Sequence, residues 1–154
     1  MFEGQLEGIY LASEKCAELK RFELVQATAG YGLDGDRYRR QSGTFSKAAS
    51  PDREVTLIEI EAIEALARDA KIELQPGQAR RNLVTRAVPL NHLVGKEFQI
   101  GEVILKGLRL CEPCGHLESL TTTGVKDGLT HRGGLRAQIL HSGTLRSGDP
   151  IRPR

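Results

Sequence analysis

Phe98-Gln99-Ile100-Gly101-Glu102-Val103-Ile104-Leu105-Lys106-Gly107-Leu108-Arg109-Leu110 sets two short apolar runs on either side of a glycine. Runs of this length, bounded by turn residues, read as strands. The pattern extends in both directions along the second half of the chain. Leu83-Val84 precedes it, residues 135–140 and a closing Ile151 follow it, and Gly95, Gly101, Gly143 and Gly148 fall between the runs. This spacing suits a twisted sheet closing on itself rather than alternating βαβ units.

The first half adds strands over residues 4–12 and 22–28, with a charged turn at Glu14-Lys15 between them. Gly30-Tyr31-Gly32-Leu33-Asp34-Gly35-Asp36 then brings three glycines in seven residues, a punctuated loop. Residues 39–53 are polar and read as an exposed loop. Val55, Leu57 and Ile58 form a strand leading into Ile60, Ile63, Leu66, Ala67 and Ala70, whose three- and four-residue spacing predicts one amphipathic helix over about 58–70. Glu64 and Arg68 stand one turn apart in the favourable order, and Pro76-Gly77 stops anything continuing past Leu74. The predicted fold is mainly β (α+β): an irregular, mostly antiparallel, barrel-like domain with one main helix and short helical turns.

Length and composition narrow the function. A chain of 154 residues is the size of a single domain, so one unit over 1–154 is expected. Apolar residues at 39% and charged residues at 27% describe a folding globular chain rather than a disordered one. Tryptophan is absent and aromatics reach only 5%, so the core must come from Leu, Ile, Val and Ala, and a stacking platform for single-stranded nucleic acid is hard to build. A net charge of +2 is too balanced for a general polyanion binder; an anion site has to be a local cluster of arginines. The start of the chain has no basic region followed by an apolar run, and nowhere are there the roughly 20 consecutive apolar residues that span a bilayer. Three cysteines, an odd number, do not make a disulfide framework. The expectation is a cytoplasmic protein with free thiols, no membrane and no nucleic acid.

Cys111-Glu112-Pro113-Cys114 follows directly on the run 103–110, so a strand delivers both thiols to an edge. Pro113 is suited to open the turn or short helix that follows. A cysteine at a helix N-terminus or beside cations forms the nucleophilic thiolate more readily, and Cys114 fits that description better than Cys111, which reads as a small buried hydrophobe. Gly32-Leu33-Asp34-Gly35-Asp36-Arg37 offers backbone amides and an arginine as an anion cradle, or simply a structural turn; no Gly-Lys-Ser/Thr follows and the dinucleotide spacing is missing. Arg80-Arg81-Asn82 precedes one strand and His131-Arg132-Gly133-Gly134-Leu135-Arg136 opens another. Their guanidiniums converge on one anionic group if the strands are neighbours, and are solvated surface charges if not. The four histidines are too scattered to impose a metal; Cys111, Cys114 and His116 offer three zinc ligands without a second ligand pair. Cys16 has no supporting neighbours.

In order along the chain, Gly32-Leu33-Asp34-Gly35-Asp36-Arg37, Arg80-Arg81-Asn82-Leu83-Val84-Thr85, Pro113-Cys114 and Arg132-Gly133-Gly134-Leu135-Arg136-Ala137, with Gly143 and Gly148-Asp149-Pro150-Ile151, resemble the MOSC domain, named for the C-terminal domain of molybdenum cofactor sulfurase. The resemblance implies a barrel-like domain in which Cys114 carries sulfur as a persulfide or meets the molybdenum of a bound pterin, the molybdenum cofactor (molybdopterin), which need not survive purification. It further implies that Gly32, Gly35, Asp36, Arg37, Arg80, Arg81, Asn82, Arg132 and Arg136 bind that cofactor, with arginines on its phosphate. Neither the pyridoxal-phosphate domain nor the N-terminal barrel of larger members is found, so no pyridoxal phosphate is expected, and a sulfur donor or electron-transfer protein is the expected partner. Cys111 lies outside the family's pattern and leaves open a thiol–disulfide pair with Cys114. A binding module without catalysis is the remaining alternative.

Overall fold

A computed structural model of the chain describes residues 1–13, 18–36 and 51–154. Its strands are β1 (Gly4–Leu11), β2 (Lys20–Phe22), β3 (Leu24–Thr28), β4 (Gly32–Leu33), β5 (Val55–Glu59), β6 (Leu83–Arg86), β7 (Glu97–Ile100), β8 (Val103–Leu110), β9 (Leu135–His141), β10 (Gly143–Arg146) and β11 (Pro150–Pro153). Among the described residues three α-helices join them: α1 (Ile60–Ala70), α2 (Gly115–Leu120) and α3 (Val125–Gly128).

Strands β11, β7, β8, β9, β5, β6 and β1 follow one another in the main sheet, and β11 also pairs with β1, so the seven close into a barrel. One edge of β1 is divided to make this possible. Its first residues, Gly4 and Gln5, face Ile151 and Pro150 of β11, while Ile9, Tyr10 and Leu11 face Phe22, Arg21 and Lys20 of β2. Residues 22–28, which read as one strand, are split at Glu23 for the same reason: Phe22 pairs with Ile9 in the barrel, whereas Leu24 pairs with Arg146 in a small sheet ordered β10-β3-β4.

The strand pairings are antiparallel except β5 with β6. Parallel neighbours need a crossover of a dozen or more residues, and α1 with the turn Pro76–Ala79 supplies it. Helix α1 starts at Ile60 rather than near 58, because Ile58 and Glu59 are held in the ladder opposite Val84 and Thr85. It ends at Ala70, before Pro76-Gly77, because Lys71 takes a left-handed conformation (φ 59°) and closes the last turn on the Leu66 carbonyl. The expected Glu64–Arg68 pair does not form: Arg68 turns to Asp69 (2.7 and 2.9 Å), and Glu64 accepts from Arg86 across the crossover (3.3 Å).

Two apolar clusters result. Inside the barrel, Leu6, Ile9, Val55, Leu57, Leu83, Phe98, Leu105, Leu135, Ala137 and Ile139 meet, and Val25, Ala27, Leu33 and Leu145 of the small sheet join them. Outside, Ile58 and Val84 pack against Ala62, Ile63 and Leu66 of α1 and against Leu117, Val125 and Leu129. Strands β5 and β6 are therefore buried on both faces, which is why they read as continuous apolar runs rather than alternating ones. As the composition requires, the buried core is aliphatic, with Phe98 the one buried aromatic ring among the described residues.

Candidate functional site

The thiols sit where β8 leaves the barrel. Near its end β8 carries a bulge: Gly107 faces Ala137, yet Arg109 faces Arg136, so Leu108 has no partner and the strand bends toward residues 111–114. Cys111 stays in the fold, donating its N–H to the Gly134 carbonyl (2.7 Å) with only 4% of its surface exposed. Cys114 is exposed. It is the residue before α2, in extended backbone (φ −131°, ψ 170°), and its carbonyl accepts the Glu118 N–H at 3.2 Å. The helix starts after both cysteines rather than between them, so the two thiols do not share a helical turn.

Three contacts fix this loop. Arg81, 9% exposed, donates from Nη2 to the Cys111 carbonyl (3.1 Å), from Nε to the Gly133 carbonyl (2.8 Å) and from Nη1 to the Ala79 carbonyl (3.5 Å). Gly133 lies so close that a Cβ there would stand 2.5 Å from the Cys111 oxygen and 2.7 Å from Cδ of Pro113. At Gly134 the backbone is in the left-handed half of the map (φ 121°), and a Cβ would run into the Leu57 carbonyl. Glu112 supplies the third contact: Oε1 accepts the His131 N–H (2.8 Å) and Oε2 stands 2.8 Å from His131 Nδ1. His131 is itself left-handed (φ 63°), and its carbonyl accepts from Nδ2 of Asn91 (2.6 Å).

A buried polar brace ties the glycine loop to the same frame. Asn82, fully buried, accepts at Oδ1 from the N–H and hydroxyl of Thr56 (3.1 and 3.2 Å) and donates from Nδ2 to the Tyr10 carbonyl and to Oδ1 of Asp36 (both 3.2 Å). That uses all the capacity of a carboxamide. Asp36, equally buried, also accepts the Ala12 N–H at Oδ1 (3.2 Å). Gly32 pairs with Thr28 at the start of β4, and Gly35 turns the chain (φ 80°) into Asp36.

The residues singled out in the sequence thus divide. Asp36, Arg81 and Asn82 lie inside the frame of the site, Cys114 and Arg132 on its surface. Arg132 donates its N–H to the Leu129 carbonyl (2.9 Å), and its charge reaches Asp69 at the end of α1, whose carboxyl is held below its ordinary value chiefly by the hydrogen bond from Arg68. Arg136 is half-buried on the outer side of β9, between Thr56 and Arg109 in the ladder. Arg80, left-handed at φ 59°, lines a separate groove of about 760 Å³ with Tyr10, Lys20, Gln78, Leu120 and Thr121, at the far end of α2 from Cys114. Arg37, Cys16 and the loop 39–50 lie outside the described residues. Among the described residues, no three His, Cys, Asp or Glu side chains gather where they could hold a metal ion, and no helix is long and apolar enough to cross a membrane.

Sequence reasoning passed over the Glu112–His131 pair. Its only trace is an acidic residue between the two cysteines and a histidine just ahead of Arg132-Gly133-Gly134. It also passed over Glu54, which is 5% exposed and accepts the Ile139 N–H (2.9 Å) where β8 and β9 shift register. Burial pushes the Glu54 carboxyl up, against the hydrogen bonds from Ile139 and Gly30.

Comparison with known proteins agrees with this architecture. The fold is similar to the YuaD protein from Bacillus subtilis (TM-score 0.79, 18% identity, covering 98% of this chain and 97% of that one). It is also similar to YiiM from Geobacillus stearothermophilus (TM-score 0.76, 12% identity, 98% and 75%) and to YiiM from Escherichia coli (TM-score 0.69, 17% identity, 97% and 69%). No curated protein matches the sequence. Residues 44–152 match the family described as the MOSC domain, a stretch that takes in Arg80 to Asn82, Cys114 and Arg132 to Arg136 and begins after the glycine loop. The chain belongs to the MOSC domain family.

Proposed function

We propose that this protein binds the molybdenum cofactor, molybdopterin, and acts as an oxidoreductase or in sulfur transfer through Cys114. The observation that carries the reading is the contrast between the two thiols: Cys111 is packed into the fold, and Cys114 alone of that pair faces solvent, on a loop braced from three sides. An exposed thiolate is a soft donor suited to molybdenum or to sulfur. The residues present fit such a group. Arg132 is exposed nearby in the chain segment that packs on the cysteine loop, Arg136 stands on the neighbouring strand, and guanidinium forks suit a phosphate. When bound, the cofactor supplies the redox or sulfur chemistry, and the chain supplies position and field. Gly32, Gly35, Asp36 and Asn82 belong to the frame behind that surface, and Arg80 faces the groove beyond α2.

The test is metal and pterin analysis of protein expressed with the cofactor available. Near-stoichiometric molybdenum and pterin, lost in Cys114→Ser, are expected. A folded wild-type preparation that carries neither under those conditions refutes the cofactor reading.

The same exposed thiol favours a second reading, a sulfur carrier holding a Cys114 persulfide and served by a donor protein. Incubation with a cysteine desulfurase and cysteine then adds sulfur to the Cys114 peptide, and its absence there by mass spectrometry removes this alternative. A Cys111–Cys114 redox pair gains no support, because the helix that would bring the two sulfurs together begins after Cys114.

A further inference from the structure

We infer that Arg81 is the positioning residue of the Cys114 site: a buried positive charge that holds the cysteine loop and makes the space in front of Cys114 favourable to an anionic group. The inference rests on Cys114 being the reacting thiol and adds what prepares its surroundings.

Three of the guanidinium's N–H directions end on the carbonyls of Gly133, Cys111 and Ala79, and the side chain is 9% exposed. Those contacts join segments 52 and 30 residues away in sequence, so a single side chain sets the spacing between β6, the exit of β8 and the entry to β9. Among the described residues it pairs with no carboxylate. Carbonyl dipoles satisfy the donors but do not cancel the charge. A buried cation without a counter-charge is costly unless something compensates it. Its Nη2 meets the Cys111 carbonyl at 3.1 Å, three residues before the exposed Cys114 on the same loop. A unit charge acting through protein is felt more strongly than the same charge acting through water. An anionic group brought to the surface at Cys114 would supply the compensating charge. Lysine would keep the charge but not the planar fork that reaches three carbonyls. A purely structural tie would need neither the charge nor its freedom from a carboxylate partner.

The test uses the native protein and two alkylating reagents of similar size and opposite demands, anionic iodoacetate and neutral iodoacetamide, with Cys111 and Cys114 followed peptide by peptide. The ratio of the two rates cancels accessibility and intrinsic nucleophilicity and reads the local field. At Cys114 the ratio of iodoacetate to iodoacetamide is expected to exceed that of the urea-unfolded chain by about fivefold. Arg81→Lys should keep most of this excess while making Cys111 reactive; Arg81→Met should abolish it. If Arg81→Met does not fold, wild type in about 0.5 M NaCl decides, because a buried charge is screened far less than an exposed one such as Arg132. Persistence of the excess supports Arg81. Loss of the excess in salt, a ratio equal to that of the unfolded chain, or an unchanged ratio in Arg81→Met overturns the inference. Failure of Cys114 to react with either reagent while Cys111 does would instead overturn the reading of Cys114, and this inference with it.

Discussion

Glu112 takes both the backbone N–H and the Nδ1 side of the ring of His131 on its two carboxylate oxygens, each at 2.8 Å. The pair holds a left-handed residue beside the cysteine loop. Glu112→Ala should cost about 1–2 kcal/mol, mostly through the lost backbone bond. His131→Gly should cost less, since glycine accepts the left-handed backbone and the ring pair is exposed, worth under about 1 kcal/mol. Urea denaturation of both variants checks the order; a larger loss for His131→Gly would show that the imidazole itself carries the contact.

Asn82→Ala takes the acceptor from the buried Thr56 N–H and removes one donor from the buried Asp36 carboxylate. A loss of about 2–4 kcal/mol is expected. Asn82→Asp should be no better, because it removes the donor to Asp36 and sets a second carboxylate against the first. Denaturation midpoints at one pH measure both.

Gly133→Ala must push the Cys111 carbonyl and Pro113 aside, whereas Gly35→Ala meets open space and only a left-handed backbone. The first should cost about 1–3 kcal/mol and open Cys111 to alkylation; the second should cost about 1 kcal/mol and leave Cys111 protected. Alkylation of Cys111 in both variants or in neither would separate the loop's shape from the glycine contact.

Stability should vary with pH through Glu54. Burial raises its folded-state pKa above the ordinary 4.5, as it also does for Glu59. The folded protein then holds these protons more tightly than the unfolded chain. The contribution is fully present below about 4.5 and is lost as pH rises through the raised folded value. Glu7 and Asp69, both lowered, act in the opposite sense and lose their contribution as pH falls. The difference between wild type and Glu54→Gln isolates the first effect: wild type should lose stability relative to the variant as pH rises from about 4.5 toward neutrality. A flat difference curve would contradict it.

How far the sequence speaks depends on how far apart the partners lie. Strands β7 and β8 were legible because their apolar runs are local and Gly101 turns between them. Cys114 was legible because Pro113 and the end of an apolar run mark where a strand stops. The parallel pairing of β5 with β6 was not, since the intervening helix hides which strand comes back beside which. Arg81 and Asn82 read as cofactor-binding residues, with solvated surface charge as the alternative for the arginine, and their buried bonds were hidden for a related reason. Arg81 finds carbonyls 52 and 30 residues away and Asn82 finds Thr56 26 residues away, and no window along the chain contains both ends of such a bond.

The divided edge of β1 orders events in time. Gly4 and Ile151 are partners, so the ring has no stable closed form until β11 exists to fill the gap between β1 and β7. Until β11 is in place, Gly4 and Gln5 lack the partners they have in the closed ring, while Ile9 to Leu11 can already pair with β2 and the other edge of β1 with β6. Such long-range closure makes folding slow. Cys114, at the exit of β8, thus sits on a barrel whose closure depends on a strand that lies later in the chain.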